Sequence, residues 1–124
     1  MLMNYGYYSV NCFTLILCGE SHLNNILRKQ IHEVLRQRIT IHYNYQGLTD
    51  DEAMSYVAHK LNCVGSSKAI INESTLLAVA SHTHGNPRLI DNLMSDALVI
   101  GAQQDKKSID TDIILAAVNN QNLG

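Results

Sequence analysis

CFTLILCG, residues 12–19, is a short β-rich apolar run closed by a glycine, and it reads as a strand buried on both faces. Strands of that kind belong to the parallel sheets of α/β proteins. A second strand is predicted in RITIHYNY, residues 38–45, where Ile39, Ile41, Tyr43 and Tyr45 alternate with more polar neighbours. Two strands fall short of a self-sufficient sheet. Between them lies SHLNNILRKQIHEVLRQ, residues 21–37, with Leu23, Ile26, Leu27, Ile31, Val34 and Leu35 at helical spacing and Ser21 as its N-cap.

From Leu48 onward the pattern is helical. Thr49 and Glu52 form a capping box, Ala53, Tyr56, Val57 and Leu61 share the face that follows, and GSS at 65–67 breaks the helix. Asn72 or Ser74 opens a second helix, Asn86 a third and Asp110 a fourth. The expected architecture is therefore an α/β remnant followed by an all-α unit. One or two strands at the edge of a parallel sheet occupy residues 1–46, and four packed helices occupy residues 47–124. So unbalanced an arrangement implies a piece of a larger protein, with Met1 and Leu2 continuing a helix begun earlier and NNQNLG reading as a natural end.

The 124 residues carry a net charge of -2 with 16% charged side chains, which excludes nucleic-acid binding by bulk positive charge; any polyanion must be met by a few placed arginines. Cys12, Cys18 and Cys63 are too few and too irregularly spaced for a disulfide framework or a metal knuckle, and read as reduced core residues of a cytoplasmic protein. No apolar run approaches the ~18 residues of a membrane helix. His82 and His84 are two apart, which on a helix turns them to different faces and argues against a shared metal. Tyr5, Tyr7 and Tyr8 are expected to pack against a sheet. GSSK at 65–68 lacks the upstream glycine and strand of a phosphate-binding loop, so no nucleotide cradle is present.

Gly85-Asn86-Pro87-Arg88 is the most informative tetrad. Gly85 can end one helix in a left-handed conformation, Asn86 can cap the next, and Pro87 suits its first position, where a missing N–H costs nothing. Arg88 then sits in the first turn, unfavourably by about 0.3–1 kcal/mol beside the positive end of the helix. An anion in front of it would reverse that sign. The bland alternative is a solvated arginine paired to Asp91 or Asp96. Arg36 and Arg38 fall where a helix meets the expected second strand; a strand that begins at Arg38 would place it at a sheet edge within reach of a phosphate on a neighbouring subunit, and the alternative is two solvated arginines. Glu20 follows the first strand, where open α/β sheets present ligand-contacting groups, and it serves equally as an early-turn acid stabilising the helix that follows.

Taken together these segments resemble the C-terminal half of a bacterial AAA+ ATPase, of the group that contains the secretion-pathway A component and the transposon target-selection ATPases. LILCGESHLNNIL is similar to the family's sensor-1 strand and the turn after it, LRQRITIHYNYQGLTDDEAMSYVAHKL to the arginine-finger segment running into the lid, and GNPRLIDNLMSDAL to the sensor-2 helix. The resemblance implies that Glu20 stands near sensor 1, where the family carries glutamine. It further implies that Arg38 takes the finger position with Arg36 beside it, and that Arg88, with Gly85, Asn86 and Pro87, contacts nucleotide. It also implies ATP and Mg bound by an intact parent, through loops upstream of Met1, and no cofactor for this piece alone. The partners it implies are other copies of the parent, DNA and a transposase, with no membrane; the transposition branch is favoured because no membrane or peptidoglycan-binding segment is seen. The alternatives are a non-enzymatic helical module that binds a partner protein or DNA, and a fragment of a secretion-pathway ATPase.

Overall fold

Among the described residues, 13–66 and 70–122 of a computed structural model, six α-helices form. They are α1 (His22–Leu27), α2 (Glu33–Arg38), α3 (Asp50–Cys63), α4 (Glu73–Thr83), α5 (Pro87–Gln103) and α6 (Thr111–Asn122), with one 3-10 turn at Gln30–His32. The chain divides into two units, Met1–Tyr43 and Asn44–Gly124.

Among the described residues the expected sheet edge is not there. Residues 13–20 form no regular structure, and Phe13, Leu15, Ile16 and Leu17 are exposed, Ile16 by 83%. The second expected strand fares likewise: Arg38 ends α2, and from Ile39 to Thr49 the backbone is irregular, with Ile41, Tyr43 and Tyr45 exposed. The physical reason is that a strand exists by pairing its N–H and C=O groups with a neighbour. Among the described residues no neighbour offers a ladder; the single β pairing is an isolated parallel bridge between Ile71 and Ile109. Among the described residues the fold is therefore helical and not α/β. Met1, Leu2, Tyr5, Tyr7, Tyr8 and Cys12 lie outside the described residues.

The helix expected over 21–37 is broken. Ser21 makes no side-chain cap, α1 ends at Leu27, and Lys29 is extended at φ -64°, ψ 141° before the 3-10 turn leads into α2. Neither α1 nor α2 contains a buried residue. Short helices owe most of their stability to an apolar face packed on something, and this one is interrupted where Arg28, Lys29 and Gln30 separate its two apolar triplets.

The four downstream helices obey their sequence signals. The Thr49 hydroxyl accepts from the Glu52 N–H while the Glu52 carboxylate accepts from the Thr49 N–H, completing the box that starts α3. Asn72 Oδ1 accepts from the Thr75 N–H at 2.8 Å, and Asp110 Oδ1 from the Ile113 N–H at 3.0 Å. Lys106 and that N–H hold the Asp110 carboxyl below its ordinary range. On α5, Ile90, Leu93, Met94, Ala97 and Gly101 form one buried stripe at helical spacing, packed with Val57, Val79, Ile113 and Ile114 from the other three helices. Among the described residues the thirteen buried apolar residues of the core lie between Ala53 and Ala117. The Ile109 N–H donates to the Ile70 carbonyl at 2.6 Å, tying the approach to α6 to the approach to α4. Cys18 and Cys63 are exposed, against the expectation that the cysteines fill the core; Cys63 is the last residue of α3, just before Gly65 turns the chain at φ +73°.

Candidate functional site

The α4–α5 turn is built from backbone outward. The Thr83 hydroxyl donates to the Val79 carbonyl at 2.8 Å, and the chain then reverses through two left-handed residues, His84 at φ 48° and Gly85 at φ 70°. The Gly85 carbonyl accepts the Leu48 N–H at 2.9 Å, and a Cβ on Gly85 would collide with the Leu48 carbonyl. Glycine is thus required twice at this point, for its φ and for the close approach. Asn86 follows as N-cap, its Oδ1 accepting from the N–H groups of Arg88 at 3.0 Å and Leu89 at 3.4 Å, and Pro87 takes the first helical position.

Arg88 is exposed in the second position of α5, a helix with no acid in its first turn. The two acids of α5, Asp91 and Asp96, are both engaged elsewhere. Asp91 receives the Tyr56 hydroxyl, with Oη 3.1 Å from each carboxylate oxygen, and lies 2.7 Å from Lys60 Nζ, while the Lys60 ammonium sits 5.1 Å from the centre of the Tyr56 ring. The Asp91 carboxylate first, and the Tyr56 hydroxyl second, hold the Lys60 ammonium above its ordinary range. Asp96 accepts from Gln121 Nε2 at 2.8 Å. Among the described residues no carboxylate pairs with Arg88. Because Asn86 already occupies the first two amides of the turn, an anion here would be met by the guanidinium and not by the free N–H groups of the helix end.

The structure gathers Gly85, Asn86, Pro87 and Arg88 into one turn. In the other unit, Glu20 is exposed just before α1, and its carbonyl accepts the Leu23 N–H at 2.8 Å. Arg36 and Arg38 share the last turn of α2, Arg36 exposed with Nη1 3.4 Å from the Arg28 carbonyl, and Arg38 half-buried. Arg38 therefore ends a helix, where the sequence suggests a sheet edge. The Tyr56–Lys60–Asp91 cluster escapes the sequence reading; its signal is the i,i+4 spacing of Tyr56 and Lys60, but only tertiary structure brings Asp91 to them. A shallow groove of about 330 Å³ between α5 and α6, lined by Asp96, Val99, Ile100, Gln103, Asn120 and Gln121, contains no cation to hold a phosphate. Among the described residues no helix is long and apolar enough to cross a membrane.

The chain is similar to General secretion pathway protein A of Aeromonas hydrophila. The two are 31% identical over 104 residues, which is 83% of this chain but 19% of General secretion pathway protein A. The similarity covers more residues than either unit holds, so it extends into both. It carries the name of the secretion branch of the sequence resemblance and not of the transposition branch favoured there. No family model and no solved structure matches the chain.

Proposed function

We propose that this chain is the C-terminal portion of an AAA+ ATPase of the secretion-pathway A type, in which residues 44–124 serve as the helical lid and Arg88 reads the terminal phosphate of ATP. The observation that carries the proposal is the state of Arg88: an exposed cation at the positive end of α5, with Asp91, the acid of its own helix within pairing reach, committed to Lys60 and Tyr56. The similarity to a secretion-pathway protein supports that parentage over a transposition ATPase acting with DNA and a transposase.

The residues present fit one end of a triphosphate and not a whole nucleotide. Arg88 supplies one phosphate contact, but the sequence holds no GxxxxGK[ST] loop, and the α5 amides are already capped. Bound Mg-ATP supplies the charge to be read and the free energy of hydrolysis. Arg88 would reach the outermost phosphate from a lid element whose start is fixed by Gly85 and Asn86, and loss of that phosphate would release the lid. Arg38, with Arg36 beside it, would serve a neighbouring copy of the parent as the finger, and Glu20 would lie near the sensor-1 position.

Two measurements test the proposal. The 124-residue chain should show no micromolar affinity for Mg-ATP by calorimetry. In the longer protein that carries an upstream GxxxxGK[ST] segment, Arg88→Ala should weaken ATP relative to ADP and leave the melting temperature nearly unchanged, since an exposed substitution shifts stability by no more than about 0.5 kcal/mol. An unchanged ATP/ADP preference makes Arg88 a structural residue.

A further inference from the structure

The interhelical cluster beside Arg88 stands outside this mechanism. Asp91 is the only acid in the first two turns of α5, and it lies three residues after Arg88 on the same helix, within ordinary ion-pairing reach. Left alone, it would draw the guanidinium back along the helix. Instead its carboxylate is taken across to α3 by the Lys60 ammonium at 2.7 Å and the Tyr56 hydroxyl at 3.1 Å. These two sit one turn apart on α3 and are themselves held together, the ammonium lying over the tyrosine ring at 5.1 Å.

The same cluster completes a second job. Three residues before Arg88, the Gly85 carbonyl is tied to the Leu48 N–H just before α3; three residues after it, Asp91 is tied to the body of α3. The turn that carries Arg88 is thus anchored to the α3 segment on both sides, and the arginine side chain between the anchors is left to solvent, beside Asn86 and Leu89.

The geometry points to Tyr56, Lys60 and Asp91 as positioning residues for Arg88: a clamp that withholds the helix's own carboxylate from the arginine and fixes the first turns of α5 against α3, so that Arg88 stays available to an external phosphate. The inference rests on the anion-contacting role of Arg88 given above. It adds that α3 governs that role. Opening the clamp returns Asp91 to Arg88, which then acts as an internal competitor for the phosphate, so a movement of α3 would set whether the lid can engage.

The test uses the 124-residue chain and inorganic tripolyphosphate, followed by amide NMR shifts at Arg88 and Leu89 and by the Arg88 Nε–H signal. In the unaltered chain the Nε–H should exchange as in a free arginine, and tripolyphosphate at millimolar concentration should shift the start of α5. The double variant Tyr56→Phe/Lys60→Met should slow Nε–H exchange and weaken tripolyphosphate about twofold, the strength of an i,i+3 ion pair, and adding Asp91→Asn should reverse both effects. Lys106→Met, which removes an equal charge from the Asp110 pair, provides the control for long-range electrostatics and should leave the Nε–H signal untouched. Circular dichroism on each variant confirms that the helices persist. A double variant with unchanged Nε–H exchange, or one no weaker than Lys106→Met, overturns the clamp. If Arg88→Ala leaves the tripolyphosphate shifts intact, the anion-contacting role fails instead, and the Nε–H signal alone decides whether Asp91 is withheld.

Discussion

Gly85 shows how one residue can be fixed by its neighbours on both levels of structure. Its φ of 70° lies where a side chain costs about 1–2 kcal/mol, and its Cα faces the Leu48 carbonyl so closely that no Cβ fits. Gly65 shares the first constraint at φ +73° but has open space around it. Gly85→Ala should therefore destabilise residues 44–124 by about 2 kcal/mol or more, and Gly65→Ala by about 1 kcal/mol, measured as melting temperatures by circular dichroism. Equal losses at the two sites would show that the approach of Leu48 is not a constraint. The turn around Gly85 is legible in the sequence because its determinants are local: a glycine for the reversal, an asparagine for the cap, a proline for the first helical φ. The partner of Asp91 is not, since the choice between Arg88 on its own helix and Lys60 on another depends on where α3 lies. Arg88 itself looks the same in sequence whether it is free or paired.

Among elements, the contrast between α2 and α3 explains which predictions hold. Both segments carry helical spacing, but α3 has a closed capping box and buries Ala53 and Val57, whereas the helix expected over 21–37 has no side-chain cap, buries nothing and splits in two. Local signals suffice where packing then supports them. The strands over 12–19 and 38–45 fail for a related reason: apolar alternation describes one side of a pairing, and the other side must come from elsewhere in a fold. Within the helical unit one element still carries a flaw. Thr75 is fully buried on α4, and its hydroxyl has no hydrogen-bond partner, unlike Thr83 two turns later, which donates to the Val79 carbonyl. A buried hydroxyl without a partner costs about 1–3 kcal/mol. Thr75→Val keeps the branched shape and removes that group, so it should raise stability by about 1 kcal/mol, or a melting temperature by about 4–8 °C for a domain of this size. Destabilisation by this variant would mean that the hydroxyl is satisfied after all.

At the scale of the molecule, apolar burial is distributed very unevenly. Among the described residues every buried core residue belongs to the unit Asn44–Gly124, while the described part of the unit Met1–Tyr43 exposes Phe13, Leu15, Ile16, Leu17, Ile31 and Ile41. Each such side chain gains up to about 1.5–3 kcal/mol when it leaves water, and the backbone of residues 13–20 forms no regular structure beside them. Large exposed apolar surfaces of this kind are uncommon on monomers, and covering them is the largest gain open to this chain. The 124-residue protein should accordingly self-associate as its concentration rises, with light scattering giving a mass that grows well beyond 13.8 kDa. Residues 44–124 produced alone should stay monomeric and melt cooperatively, because that unit holds its complete core and its own helix caps. Replacing Ile16, the most exposed of the 13–17 run, by lysine should lower the association without changing the helical signal. A full chain that remains monomeric at every concentration would mean that these apolar residues are covered within one molecule. Association that persists unchanged in residues 44–124 would move the adhesive surface to the helical unit, where Leu77, Leu89, Val99 and Leu115 are the exposed apolar residues to substitute next.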